Sequence, residues 1–371
     1  MFHVKHSRPL RRVLTMGFGL LLVPLLLACG ALAAPDGWAA PVASGDLVVV
    51  HTESGQLEAF RVSGSDATSV WTYPLQDTDP PLKAVYSTPV VLGDRVYVAD
   101  YEGSILALNV ADGRPVTGWE PPQVNGRFVG TPVLDANGRL ILVTDAGDVQ
   151  LLDLATGSLS APIATIDGRV WSSPVLSGDT LYVASIDRRL QAISIPDGAV
   201  EWEDTDSPIA GDLALGAGSL LVGGFDQRVR AFDLGTAGQE RWSFDSNTWF
   251  WARPLVVDGT VYVVDVDGIV FALNADSGVE RWRSTASYGE VRAEPALAGG
   301  LLVVATRDGT LAAFDPTSGA LRWGPVDPEQ GSLLANPLVL DSGDVLYVSN
   351  TGSLLRVAPA SGAVSILFER S

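Results

Sequence analysis

The chain has 371 residues, with 24 lysines and arginines, 43 acidic residues, a formal net charge of −19, 39 glycines, 23 prolines, three histidines and one cysteine. A single cysteine excludes an intrachain disulfide and a cysteine-rich zinc site, and the acidic charge disfavours nucleic acid and anionic lipid as partners. The many turn-forming residues exclude a helical bundle, while 47% apolar residues exclude a disordered chain.

The first 28 residues have the composition of a secretory signal peptide. A basic segment precedes an apolar run from Met16 to Ala28, which is too short to span a membrane as a mature helix. Residues 26–30 (LLACG) resemble the bacterial lipobox, in which lipid is attached to the cysteine thiol. We expect cleavage after residue 28, a lipid anchor on Cys29 and a tether over residues 29–37. An ordinary signal peptide with a chance cysteine is the alternative.

One phrase recurs along the rest of the chain: a small residue and a proline, two aliphatic strands with a Gly/Asp turn, and a closing tryptophan. Its prolines recur every 39 to 48 residues, with Leu213 in the fifth copy, and are Pro41, Pro89, Pro132, Pro174, Pro254, Pro295 and Pro337. Ala161 and Ile366 replace the closing tryptophan in two copies, and the others end in Trp71, Trp119, Trp202, Trp242, Trp282 and Trp323.

Each copy contains four short runs of alternating or β-branched residues, separated by glycine turns. Such short turns join antiparallel neighbours. Four-stranded sheets that repeat about every 40 residues are typical of β-propeller blades. We predict an all-β fold: an eight-bladed β-propeller of four-stranded antiparallel blades, forming a single domain over residues 38–371.

Two segments carry a family resemblance: residues 87–109 (STPVVLGDRVYVADYEGSILALN) and 253–282 (RPLVVDGTVYVVDVDGIVFALNADSGVERW). They resemble the propeller repeat of pyrroloquinoline quinone (PQQ) proteins, which implies that the repeat tryptophans dock onto neighbouring blades. With the lipobox, size and blade number, the chain resembles the BamB-type family of outer-membrane assembly lipoproteins. This resemblance implies a lipid-anchored scaffold that binds envelope proteins, as a monomer or as a subunit of a larger complex. We expect it at the outer membrane if the cell has one, and otherwise on the extracytoplasmic face of the cell membrane.

The sequence offers no recognisable catalytic centre. PQQ dehydrogenases resemble this chain in their repeat but carry a vicinal cysteine pair, which this chain lacks. Beyond the signal peptide the only histidine is His51, on an aliphatic run, and Asp265–Gly268 is interpreted as a hairpin turn rather than a calcium loop. We predict no enzyme, no metal site and no cofactor. The alternative is a ligand-binding or redox-associated propeller that holds PQQ or a carbohydrate.

Equivalent positions around the ring indicate a candidate binding site. The residues three before the phrase proline start the innermost strands, where a propeller opens into its axial channel, and they include Tyr86, Trp171, Trp251 and Arg292. The residues two before it are small, and those one before it are mostly polar. We predict that these four side chains line a mouth that grips a peptide segment or a flat ligand. Packing between blades is the alternative.

Two further features are candidates for a partner surface. Trp249 and Phe250 belong to an aromatic run between two blades, and such a run marks a partner-facing patch when it is exposed. Arg188 and Arg189 lie in a hairpin where other copies have glycine, and they form a local basic spot on an acidic protein.

Overall fold

The computed structural model describes residues 37–53, 55–77, 79–80, 82–120, 122–209 and 211–369. Within these ranges every regular element is a β-strand, and the strands form eight antiparallel sheets in chain order. The predicted eight-bladed propeller is confirmed. The predicted signal peptide and Cys29 lie outside the described residues. None of the described segments is a helix with the length and apolarity needed to cross a membrane.

Each of the first four blades is built from strands that follow one another in the sequence. Blade 1 contains Val42–Ser44, Leu47–Glu53, Gln56–Ser63 and Asp66–Tyr73. Blade 2 contains Val90–Leu92, Arg95–Ala99 and Ile105–Asn109. Blade 3 contains Val133–Leu134, Arg139–Val143, Asp148–Asp153 and Ala164–Thr165. Blade 4 contains Val175–Ser177, Thr180–Ser185, Arg189–Ser194 and Val200–Asp204.

The other four blades repeat this order. Blade 5 contains Ala214–Gly216, Ser219–Gly223, Arg228–Asp233 and Glu240–Asp245. Blade 6 contains Leu255–Val257, Thr260–Val264, Val270–Asn274 and Glu280–Arg283. Blade 7 contains Ala296–Ala298, Leu301–Ala305, Leu311–Phe314 and Leu321–Val326. Blade 8 contains Leu338–Val339, Val345–Val348, Leu354–Ala358 and Ala363–Phe368. The first strands of blades 1 and 2, 4 and 5, 5 and 6, and 7 and 8 contact one another, which places the first strands on the inside of the ring.

The closing tryptophans dock onto the next blade, as the resemblance implied. The indole N–H of Trp242 donates to the carbonyl of Ala275 at 2.9 Å, and that of Trp282 donates to the carbonyl of Pro316 at 2.9 Å. The Trp242 ring lies on Gly278, where a Cβ atom would be 2.5 Å from the indole and where φ is 67°. In five blades this glycine is required both by its backbone conformation and by the tryptophan of the preceding blade, as Gly113, Gly238, Gly278, Gly319 and Gly362.

Blade 2 differs from the other blades in having three strands. Its fourth position is held by isolated bridges from Ser104 to Gln123 and from Leu108 to Pro115. Pro115 has no N–H to donate, and the N–H of Val116 donates to the Ala107 carbonyl at 2.9 Å. The indole N–H of Trp119 correspondingly donates within its own blade, to the carbonyl of Ile105 at 3.1 Å.

Blades 1 and 8 close the ring. Val50 and Phe60 from blade 1 share one buried cluster with Leu346 and Leu354 from blade 8. The rings of Phe60 and Phe368 lie 4.9 Å apart. Each blade is a continuous stretch of chain, so closure depends on apolar packing rather than on a strand exchanged between the two ends.

Candidate binding site at the ring axis

A cavity opens at the axis where the innermost strands begin. Its volume is about 330 Å³. Its walls come from every blade and consist of Trp38, Ala40, Tyr86, Thr88, Tyr101, Val129, Thr131, Trp171, Ser173, Asp212, Trp251, Arg253, Arg292, Leu334, Ala335 and Asn336. The structure therefore brings together all four residues that the sequence assigned to a channel mouth. That the mouth binds anything stays a prediction.

The small residues before each phrase proline allow the blades to converge at this point. A Cβ atom on Gly211 would lie 2.0 Å from the carbonyl oxygen of Trp251, and one on Gly130 would lie 2.5 Å from that of Ser172. Ser87 and Ser172 are buried at the equivalent positions. Close packing at this residue directs the side chains on either side of it towards the cavity, because side chains alternate along an extended segment.

The polar residues immediately before the prolines join neighbouring blades. The backbone N–H of Thr88 donates to Thr131 Oγ1 at 3.0 Å, and the N–H of Thr131 donates to Ser173 Oγ at 3.0 Å. The N–H of Ser173 donates in turn to Asp212 Oδ1 at 2.6 Å. The residues at these positions are mostly polar, and the structure shows that some of them form hydrogen bonds between blades.

Several of the aromatic rings that line the cavity contact one another. Trp38 and Tyr86 have ring centroids 4.4 Å apart, and Tyr86 and Tyr101 have centroids 5.1 Å apart. Trp38 is 43% exposed and Trp171 is 38% exposed. Sequence analysis missed Tyr101 because it belongs to a hairpin of blade 2 rather than to the repeated proline phrase. The aromatic position in that hairpin, next to an otherwise ordinary Glu-Gly turn, is the signal that was available.

Three arginines lie over aromatic rings at or beside the mouth. The guanidinium carbon of Arg292 is 4.8 Å from the ring centroid of Trp251, and that of Arg169 is 5.3 Å from the centroid of Trp171. Arg127 lies over Tyr101 at 5.2 Å. Such cation–π pairs place positive charge directly on the aromatic walls. Only Arg292 was predicted from the sequence.

A carboxylate and a guanidinium meet beside the cavity. Arg253 Nη1 lies 3.5 Å from Glu294 Oε2. Burial raises the pKa of Glu294 to about 7, the neighbouring Asp212 adds to this rise, and Arg253 opposes it. Glu294 therefore changes its charge near neutral pH.

The aromatic run between blades 5 and 6 is not one exposed patch. Phe250 is 1% exposed and packs in the core against Phe271, with ring centroids 6.2 Å apart, so its assignment to a partner surface is wrong. Burial in the core stabilises this large apolar ring, although the residue belongs to the connection between the two blades. Trp249 is half-buried and lies beside Phe225 and Trp251, at centroid distances of 4.7 Å and 6.2 Å.

The predicted basic spot is partly neutralised. Arg189 Nη1 lies 2.9 Å from Glu203 Oε1, and Arg228 in the next blade lies 2.7 Å from Asp245. Arg188 is exposed, and among the described residues it forms no ion pair. Its φ is 69°, a left-handed conformation that glycine adopts in most of the other hairpins. Arg188 is therefore the accessible cation of this spot.

The residues considered for metal or acid–base chemistry lie in structural positions. Gly268 N donates to the Asp265 carbonyl at 2.9 Å, and Ile269 N donates to Asp265 Oδ1 at 2.9 Å, which confirms the predicted hairpin turn. His51 is buried within the second strand of blade 1. Within the described ranges, no group of three His, Cys, Asp or Glu residues is arranged to hold a metal ion.

Comparison with known proteins identifies the family. The model of the family described as outer membrane protein assembly factor BamB matches residues 33–161, 117–225 and 225–366. The chain belongs to this family. Two BamB proteins illustrate the similarity: that of Yersinia pestis is 24% identical over 291 residues, covering 73% of this chain and 68% of the relative, and that of Escherichia coli K12 is 25% identical over 327 residues, covering 82% and 77%.

A solved BamB structure has the same fold. BamB from Moraxella catarrhalis superposes with a TM-score of 0.68 at 17% sequence identity, covering 89% of this chain and 95% of that one. The resemblance to a BamB-type PQQ-like propeller that the repeats indicated is thereby confirmed. At this identity the structural likeness bears on the fold alone.

Proposed function

We propose that this protein is a non-catalytic scaffold that takes part in assembling proteins into the outer membrane, and that lipid on Cys29 anchors it. The observation that carries the proposal is the BamB family match, which extends from residue 33 to residue 366 and so reaches into all eight blades. The relatives are named as assembly factors. The proposed partners are envelope proteins, in a complex of which this chain is one subunit.

The residues around the mouth favour binding over catalysis. Thr131, Ser173 and Asp212 are engaged in blade-to-blade hydrogen bonds. Burial raises the pKa of Glu294 to about 7, and its carboxylate faces Arg253. These positions support a scaffold in which polar groups hold the ring together.

PQQ does not suit the cavity. The quinone carries three carboxylates, and two guanidiniums line the walls, those of Arg253 and Arg292. Both already lie close to carboxylates, Glu294 at 3.5 Å and Glu290 at 2.6 Å, and Asp212 adds a further acid. Three more negative charges would lack partners in this cavity. We therefore propose that the scaffold works without this cofactor.

The lipid anchor is tested separately from the fold. Cys29→Ser should move the protein from the membrane fraction to the soluble fraction while its thermal unfolding stays unchanged, since acyl chains supply the membrane affinity. A variant that remains in the membrane fraction would contradict the anchor.

The proposed partner surface includes Arg188 and Trp249, which flank the mouth. The hairpin of Arg188 is fixed to the strand connection that carries Trp171, because Arg169 N donates to Asp187 Oδ2 at 2.9 Å. Trp249 lies beside Trp251 on the other flank. An arginine in a left-handed conformation costs stability relative to glycine, so glycine can replace Arg188 without backbone strain.

Crosslinking and pulldown from the native envelope test this surface. Arg188→Gly removes the guanidinium and relieves the left-handed backbone, so the variant should fold at least as stably as the parent. We expect it to capture envelope proteins less well, while the control Arg61→Gln, in an exposed ion pair with Asp46, captures them normally. Unchanged capture by Arg188→Gly would contradict this surface, and failure of the parent to capture envelope proteins would contradict the scaffold.

A further inference from the structure

Two guanidinium groups in the axial cavity stay partly exposed beside their carboxylate partners: the Arg253 side chain is 40% exposed and that of Arg292 is 31% exposed. The Arg292 side chain lies on Trp251 and its Nε donates to Glu290 Oε1 at 2.6 Å. Arg253 Nε is buried and has no hydrogen-bond partner among the described residues. The nearest carboxylate to Arg253 is Glu294, at a long 3.5 Å. The Nε atom is closed to solvent, so a ligand in the cavity meets the outer part of the Arg253 side chain, which is 40% exposed.

We propose that the axial cavity binds a ligand in which a single carboxylate is attached to an aromatic or apolar group. Arg292 and Arg253 interact with the carboxylate, and Trp171 and Trp251 pack against the apolar group. The cavity of about 330 Å³ is at the small end of ligand sites, so it accepts one aromatic acid or one acidic side chain with its aromatic neighbour.

The walls favour an anion over a cation. One face of Trp251 and one face of Trp171 are already covered by guanidiniums, those of Arg292 and Arg169. A second cation at these rings would meet like charge. The carboxylate of Asp212 in the lining accepts the N–H of Ser173 at 2.6 Å and so is already engaged.

Glu294 makes the sign of the ligand charge measurable. It faces Arg253 and Asp212, and its own backbone N–H donates to Asn336 Oδ1 at 2.8 Å. Because burial raises the pKa of Glu294 to about 7, an anion placed beside it stabilises the protonated form and is bound together with a proton. The affinity for a carboxylate therefore rises as the pH falls from 8 to 6. A cation would show the opposite dependence.

Calorimetric titration of the purified propeller tests the proposal with two acid probes and their amides. Indole-3-acetate represents a free aromatic acid, with indole-3-acetamide as its neutral counterpart. A terminally blocked Phe-Asp-Phe peptide represents an acidic segment of a protein, with Phe-Asn-Phe as its counterpart. We expect saturable binding of an acid probe that is about tenfold tighter than that of its amide. The probe that binds more tightly identifies the source of the carboxylate.

Variants locate the binding. Arg292→Gln should lower the affinity for the acid probe about tenfold. Arg292→Lys keeps the charge but loses the planar stacking, so its affinity should be intermediate between those of Arg292→Gln and the parent. Arg61→Gln, outside the cavity, should bind like the parent. Glu294→Gln should bind the acid probe and lose the difference between pH 6 and pH 8. The proposal is overturned if neither acid probe saturates, if amides bind as tightly as acids, if Arg292→Gln binds normally, or if affinity rises with pH.

Discussion

The outer edge and the axis of the ring both carry aromatic residues, but these residues have different surroundings. At the outer edge, Trp242 and Trp282 are 7% and 9% exposed, and each indole N–H donates to a backbone carbonyl of the next blade. At the axis, Trp38 and Trp171 are 43% and 38% exposed and line a cavity. The same residue type therefore fastens blades at one radius and stays accessible at the other.

The difference lies in what accompanies each aromatic residue. The outer tryptophans recur at a fixed position and have a glycine of the next blade beneath them, as Gly278 lies beneath Trp242. The axial position varies from copy to copy, with Val129 and Leu334 among its occupants. Regular recurrence with a matching small residue indicates packing, whereas variation around a shared cavity favours a binding surface.

Removing an outer indole should have the largest effect. Trp282→Ala deletes a buried ring and its hydrogen bond to Pro316, so the free energy of unfolding should fall by about 3–5 kcal/mol. Chemical denaturation followed by circular dichroism measures this change. A loss below about 1 kcal/mol would show that the outer tryptophans do not fasten the blades.

Filling the space beneath an outer indole should have the next largest effect. Gly278→Ala places a Cβ atom 2.5 Å from the Trp242 ring at a φ of 67°, and we expect a loss of about 2–3 kcal/mol. Gly259→Ala is the matched control, because its φ is 68° and nothing lies within 4 Å of the added Cβ. The control should cost only the backbone conformation, about 1–2 kcal/mol. Equal losses would exclude the indole contact.

The acid beside the cavity should change the pH dependence of stability. Folded protein holds a proton on Glu294 up to a pKa of about 7, whereas an ordinary glutamate releases it near pH 4.5. Raising the pH between these values therefore destabilises the folded state through this residue. Glu294→Gln should be more stable than the parent by about 2–3 kcal/mol at pH 8 relative to the difference at pH 4.5. A pH-independent difference in denaturation would contradict the raised pKa.

Removing an axial ring should have the smallest effect on stability. Trp171→Ala deletes a partly exposed side chain whose ring packs against the guanidinium of Arg169. The free energy of unfolding should therefore change by less than about 1 kcal/mol. Thermal unfolding of the variant beside the parent measures this. A loss comparable to that of Trp282→Ala would mean that the axial aromatics are packing residues as well.

The repeat made the fold predictable. Each copy carries its own turns and alternation, and six of the eight end in the closing tryptophan, so the copies agree on blade number and strand order. Counting back from each phrase proline also placed Tyr86, Trp171, Trp251 and Arg292 at the axis, because equivalent positions in a closed ring share one radius. Both inferences depend only on local pattern and symmetry.

Features that combine different parts of a blade were not predictable in this way. Tyr101 lines the cavity although it belongs to a hairpin. Phe250 is buried in the core although it belongs to a connection between blades, and the length of a connection does not indicate burial. The raised pKa of Glu294 depends on burial beside Asp212 and Arg253, which are far from it in the sequence. Such properties depend on distances across blades, and a repeat pattern does not specify them.

The most direct test of this division between edge and axis measures stability and binding on the same two variants. Trp282→Phe keeps part of the ring but loses the hydrogen bond to Pro316, and Trp171→Ala opens the wall of the cavity. We predict that Trp282→Phe lowers the free energy of unfolding and leaves the affinity for the acid probes unchanged. Trp171→Ala should lower the affinity for the probes and leave the free energy of unfolding nearly unchanged. The reverse pattern, or both properties changing together in each variant, would contradict the account.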